Sequence, residues 1–292
     1  MRLRSLELAT LLVVLSPNFG SLLAAEPPTE IPFKLYAGFA IVVRGAIGSQ
    51  DNVNILVDTG AVPSVVHQRL ARKLRLQSGS REVISVVNQN HSLERVSLVG
   101  LRLGSLEFPT LSAVVLDLAA IESRLGVRLD AIVGLDLLGH QNFTIDYRRR
   151  RLLIGEALAT GEPIPFELQR EAGAPYIVVP VEVNSLRVRL LLDTGADNLT
   201  LYAPRVQALT LAVNKSGTCK DVSAAGEYAV DQIRLSNARL GGIQRPDLMA
   251  AMVDSPDSAL RDFDGLFGPA ALGITRLGFD FRTNTLYVEL NR

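Results

Sequence analysis

The chain has 292 residues, 48% of them hydrophobic, with 30 basic and 30 acidic side chains and no net charge. That length suits one large domain or two of ordinary size with a substantial core, and the balanced charge leaves no footprint for nucleic acid. A single cysteine, Cys219, excludes an intramolecular disulfide, and His67, His91 and His140 stand too far apart in the sequence for a zinc motif, so no metal or cofactor is expected.

Taken from the N-terminus, "MRLR" carries two positive charges and is followed by an apolar run broken by Pro17, Asn18 and Gly20. Residues 1–25 read as a secretory signal peptide, which predicts export to the periplasm or the outside of the cell. The break argues against a spanning helix, and the one membrane role left open is an uncleaved N-terminal anchor. "AIVVRGAIG" (40–48) and "VNILVDTG" (53–60) are β-branched or apolar runs bounded by turn residues, hence strands. "SVVHQRLARKLRL" (64–76) places Val66, Leu70, Leu74 and Leu76 at helical spacing and predicts a helix capped by Ser64. A second short helix is predicted at "GLDLL" (134–138). "IDYRRRRLLIG" (145–155) reads as a strand, a tight turn and a return strand, with the four arginines 148–151 on a solvated tip. "GEALATGEP" (155–163) is small and turn-prone and reads as a linker. "YIVVPVEVN" (176–184) and "VRLLLDTG" (188–195) then repeat the strand pattern of the first half. The sequence is therefore all-β with few helices.

The repetition is systematic. "ILVDTGA" at 55–61 returns as "LLLDTGA" at 190–196, "DAIVGLDLLG" at 130–139 as "DGLFGPAALG" at 264–273, and "FTIDYRRRRLLI" at 143–154 as "LGFDFRTNTLYV" at 277–288. The chain is an internal duplication: after the leader, residues 26–158 form an N-terminal lobe and residues 159–292 a C-terminal lobe.

Each half ends an apolar strand in an aspartate, Asp58 and Asp193. A buried, unpaired carboxylate is costly. Two such acids brought together at a pseudo-twofold axis would share one proton and titrate as a pair. The pair would then offer one carboxylate to take a proton from water and one carboxylic acid to give a proton to a carbonyl oxygen, as amide hydrolysis without a covalent intermediate requires. Gly60 and Gly195 let the chain turn sharply beside the acids, and Thr59 and Thr194 supply hydroxyls able to tie the two turns together.

In its "LVDTGA" and "LLDTGA" the chain resembles the aspartic proteases, closer to their retropepsin-like branch than to the pepsins, as a single-chain tandem duplication. The second signature of that family, two apolar residues and a glycine, stands at Ile132-Val133-Gly134 and Leu266-Phe267-Gly268. The resemblance covers essentially the whole chain after the leader. It implies a bilobal acid-protease fold of two β-barrel lobes and an aspartic endopeptidase with Asp58 and Asp193 as catalytic residues. It implies too that Ile132, Val133, Gly134, Leu266, Phe267 and Gly268 pack beside the catalytic turns. An extended peptide or protein substrate would lie between the lobes, and the fused duplicate needs no second chain, so a monomer is expected. The family also covers its cleft with a glycine-containing hairpin, for which Ala225 and Gly226 in "DVSAAGEYAV" (221–230) are the best match; "ISVVNQNHSLERV" (84–96) offers only Asn88 or Asn90 for its turn. One departure stands out. The family has Asp or Asn two residues after the late glycine; Asp136 fits and Ala270 does not. That departure motivates an alternative reading, a non-catalytic peptide-binding or assembly protein on the same fold. Finally, Ala61 and Ala196 stand where pepsin-like enzymes carry a hydroxyl. Without that donor the acid pair is expected to keep its proton to higher pH.

Overall fold

A computed structural model describes residues 28–86, 89–155, 159–171, 174–223, 226–254 and 262–291. The expected signal peptide, 1–25, and Ala225 lie outside them. Among the described residues no helix is long and apolar enough to cross a membrane.

The two halves build the same frame. In the first, strand Ala40–Ile47 pairs antiparallel with Gln50–Val57, and Ile55, Leu56 and Val57 run parallel to Ala131, Ile132 and Val133. In the second, Ala174–Val183 pairs with Leu186–Leu192, and Leu190, Leu191 and Leu192 run parallel to Gly265, Leu266 and Phe267. The unbroken leucine run before Asp193 has a simple cause: both faces of its strand are covered. Leu190 and Leu192 enter the main core, while Leu191 faces a second apolar cluster with Val178 and Leu266. Ile55 and Val57 enter the main core in the same way, with Leu56 in a cluster of its own beside Phe39, Val65 and Ile132.

A third layer joins the halves. Strand Phe143–Asp146 pairs antiparallel with Ile274–Asp280, matching Phe143 with Phe279, Thr144 with Gly278 and Ile145 with Leu277. In the repeat, Phe143 corresponds to Leu277 and Ile145 to Phe279. Each half therefore offers the other the surface it receives, as a twofold axis demands. The Phe143 and Phe279 rings stack with centroids 4.2 Å apart. Each half closes its own end of this layer: Arg151–Ile154 pairs with Thr29–Tyr36, and Thr285–Leu290 with Glu162–Pro165. The last of these strands takes in Glu162 and Pro163, which the sequence reading assigned to the linker; their backbone pairs with Val288 and Tyr287.

The helix predicted from Ser64 is shorter and starts later. Ser64–His67 is a fully buried strand, parallel to Ala113–Leu116 and antiparallel to Ala131 and Ile132. The helix itself spans Gln68–Lys73, and the Nδ1 of His67, not the hydroxyl of Ser64, accepts from the Arg69 N–H at its start. Ser64 is unavailable as a cap because its hydroxyl is engaged with Asp136 and Gly134. The short helix Leu135–Leu138 follows Gly134 as the sequence suggests. Helix Ala119–Leu125, which the sequence reading did not foresee, ends on Gly126 in the left-handed conformation, φ +65°.

Candidate active site

Both acids stand where a strand stops and a tight turn begins. Asp58 follows Val57, and its N–H donates to the Val133 carbonyl at 3.0 Å; Asp193 follows Leu192, and its N–H donates to the Phe267 carbonyl at 3.0 Å. The second signature is thus the strand that holds each acid's backbone. Gly134 and Gly268 are required there by contact: a Cβ on Gly134 would run into the Ala61 carbonyl, and one on Gly268 into that of Ala196.

The two turns interlock. Thr59 Oγ1 donates to the Leu192 carbonyl at 2.8 Å and accepts from the Thr194 N–H at 3.0 Å. Thr194 Oγ1 donates to the Val57 carbonyl at 3.2 Å and accepts from the Thr59 N–H at 3.0 Å. Both threonines are buried. Four hydrogen bonds, related by the pseudo-twofold axis, therefore set the separation of the acids.

The carboxyls cross over the glycines of the opposite turn. A Cβ on Gly60 would lie 2.5 Å from Asp193 Cγ, and one on Gly195 would collide with the Asp58 carboxyl. Each acid also accepts from its own turn, Gly60 N–H to Asp58 Oδ1 at 2.9 Å and Gly195 N–H to Asp193 Oδ1 at 2.8 Å. Each carboxyl therefore sits over the other acid's turn, close enough for the two to interact and to titrate as a pair. Burial pushes both acids above the ordinary carboxylate range. The adjacent Asp58 charge then pushes Asp193 further, well above it.

The acids form the floor of an open cleft lined by both halves. Asp221, Val222, Ser223 and Tyr228 line it from the hairpin Asn214–Ser223/Gly226–Leu240, whereas the first-half hairpin, Arg81–Val86/Gln89–Leu103, reaches it with Leu93. Gly226 sits at the tip of the former with φ +114°, a conformation that favours glycine. Among the described residues no group of three His, Cys, Asp or Glu side chains is placed to hold a metal ion.

The profile of the aspartyl protease family matches residues 43–137 and again 179–273. The chain belongs to that family, as a tandem duplication. Each match takes in one aspartate turn and one apolar-apolar-glycine strand of the family. Comparison with curated proteins finds no match.

The departure of this family member at Ala270 has a structural reason. In the first half, Ser64 N–H and Oγ each donate to Asp136 at 2.6 Å, and Ser64 Oγ accepts from the Gly134 N–H at 3.1 Å. In the second half Leu199 stands in place of Ser64 and is fully buried. The Gly268 N–H donates instead to the Asn198 carbonyl at 2.9 Å. Serine and aspartate have been exchanged together for leucine and alanine, and the Gly268 strand keeps its place beside Asp193. The divergence therefore does not reach the acids.

Sequence reasoning missed one group altogether. Arg124, on helix Ala119–Leu125, donates to Asp197 Oδ2 at 2.6 Å and lies 3.6 Å from Asp221 Oδ1. It bridges the first half to both the second aspartate turn and the second hairpin. No motif or repeat marks it in the sequence. Cys219 is free and half-buried on the second hairpin.

Proposed function

We propose that the protein is an aspartic endopeptidase working as a monomer, each half of one chain supplying one acid. The observation that carries this reading is the placement of Asp58 and Asp193, each over the other's turn and held there by the Thr59–Thr194 interlock, in a cleft that both halves line. An extended peptide lies across the acids, with the second hairpin and Gly226 at its tip as the covering flap, and pairs its backbone with strand edges. A water held between the acids gives a proton to the ionised carboxylate and attacks the scissile carbonyl carbon. The protonated carboxyl gives its proton to the carbonyl oxygen, and a tetrahedral diol forms. Transfer of a proton to the amide nitrogen and collapse of the diol break the C–N bond, and the pair regains its single proton. The proton belongs to the pair, so neither acid is base or acid by itself. The raised affinity of the site for one proton supports this chemistry, because it keeps the singly protonated state populated over a wide pH range. The N-terminal charge pattern supports export, with the leader removed. The test is proteolysis of an unstructured protein by the wild type, by Asp58→Asn and by Asp193→Asn, with and without pepstatin. Cleavage by the wild type alone, blocked by pepstatin, is expected. Cleavage that survives either substitution would remove the acid pair from the reaction, and a wild type that binds peptide without cutting it would favour a peptide-binding protein.

A further inference from the structure

The two walls of the cleft differ far more than the duplication requires. Apart from Asp58 and Arg124 the first-half wall is apolar: Phe39, Leu56, Val65, Val114, Leu125 and Ile132 belong to one hydrophobic cluster and line the cleft. The second-half wall keeps Leu191 and Leu266, the counterparts of Leu56 and Ile132, but changes elsewhere. The paired strands set the correspondences. Val65 lies opposite Ile132 as Thr200 lies opposite Leu266, so Thr200 stands in place of Val65. Val42 faces Leu56 as Val178 faces Leu191, so Tyr176, two residues before Val178, stands in place of Ala40. Tyr202 and Tyr228 line the same wall. The Tyr228 hydroxyl lies 3.5 Å from Asp221 Oδ2, and Asp197 and Asp221 share the one Arg124 guanidinium, at 2.6 and 3.6 Å.

We propose that the cleft is specific for a bond between an apolar residue, seated against Leu56, Val65 and Ile132, and a polar residue with hydrogen-bond donors, seated against Thr200, Tyr176 and the Asp221–Tyr228 pair. The inference rests on the protease reading above and deepens it. The pseudo-twofold axis runs between Asp58 and Asp193, where the scissile carbonyl must sit. The side chains flanking that bond therefore fall one to each half. An apolar wall strips water from a side chain and returns nothing to a polar one, so it selects aliphatic and aromatic residues. A wall of hydroxyls and carboxylates does the reverse: an aliphatic side chain seated there takes water from polar and charged groups and offers them no hydrogen bond in return. Two carboxylates with one guanidinium between them leave negative charge over, which favours amide and ammonium donors over acids. A peptide with leucine on both sides of the bond, which would suit two apolar walls, is a poor substrate here.

The experiment uses a set of otherwise identical octapeptides with leucine on one side of the bond and leucine, glutamine, lysine or glutamate on the other, in both orders. Cleavage is followed by mass spectrometry, and binding to the Asp193→Asn protein by calorimetry. Glutamine or lysine opposite leucine should exceed leucine opposite leucine in kcat/KM by about 10- to 200-fold, the range that one pocket contact commands. The advantage should appear in one order only. The double substitution Thr200→Val with Tyr176→Phe should shrink that ratio, and Val65→Thr should weaken the demand for leucine on the other side. Equal or better cleavage of the leucine–leucine peptide would overturn the inference while leaving the protease reading intact. No cleavage of any peptide would count against the protease reading. In that event the calorimetric ranking still decides the cleft's preference, and tighter binding of leucine–leucine would overturn it.

Discussion

Thr59 and Thr194 hold each other by both main chain and side chain: each hydroxyl accepts the other's N–H and donates to the carbonyl just before the other's aspartate. The two halves are thereby fixed at the one place where a shift of an ångström would part the acids. Replacing Thr59 by valine keeps the shape but leaves a buried N–H and a buried carbonyl without partners. That substitution is expected to lower the unfolding free energy by about 2–4 kcal/mol, read by denaturant titration, and to lower kcat more than it changes KM. Serine at the same position keeps the hydroxyl and should restore most of both.

The acid pair is expected to make the protein less stable as pH rises. Burial raises both carboxyls above their unfolded values, Asp193 the more. Between the unfolded and folded values the native state binds more protons than the unfolded chain, so stability falls with pH across that window. Below the ordinary aspartate range both states are protonated and the contribution is fully present. Asp193→Asn carries no such charge, and it should melt above the wild type at neutral pH, with the gap closing toward pH 3. A wild type that gains stability relative to Asp193→Asn between pH 4 and 7 would contradict the sign.

Activity should follow the same proton. Ala61 and Ala196 place no hydroxyl beside the carboxyls, whose turn donors are backbone N–H groups. The singly protonated pair should thus persist above the ordinary carboxylate range, and the alkaline limb of kcat/KM with it. A pH–rate profile peaking near pH 2–3 would count against this.

Gly134→Ala tests the strand that holds Asp58. The new methyl meets a backbone carbonyl, that of Ala61, and no flexible side chain is there to yield. A loss of at least about 1–3 kcal/mol is expected, the usual cost of overpacking, together with loss of activity. Gly268→Ala should behave alike in the second half, because the Ala196 carbonyl stands in the same place.

Arg124 should matter more to substrate than to folding. Its side chain is 35% exposed and that of Asp197 40%, and an ion pair so open to solvent contributes about 1 kcal/mol or less. Arg124→Ala should hardly move the melting temperature. It should raise KM, because helix Ala119–Leu125 and the second hairpin lose the bridge that ties them across the cleft.

The duplication, the two aspartate turns and the late glycine strands were all legible in the sequence, because they are local patterns: an apolar run, an acid, a tight turn and a fixed recurrence. The strands before Asp58 and Asp193 followed from their composition alone, since runs such as Leu190–Leu192 need cover on both faces. Only the tertiary structure decided what lies across space. It put the start of helix Gln68–Lys73 at His67, because Ser64 is engaged with Gly134 and Asp136, 70 and 72 residues away in the chain. It explained Ala270 through Leu199, which no reading along the chain would pair with it. It set Arg124 against Asp197 and Asp221, and polar residues of one half against apolar residues of the other. Sequence periodicity reports which face of an element is buried; what that face meets depends on contacts between residues distant in the chain, and those exist only once each half has folded and the two halves have closed on one another.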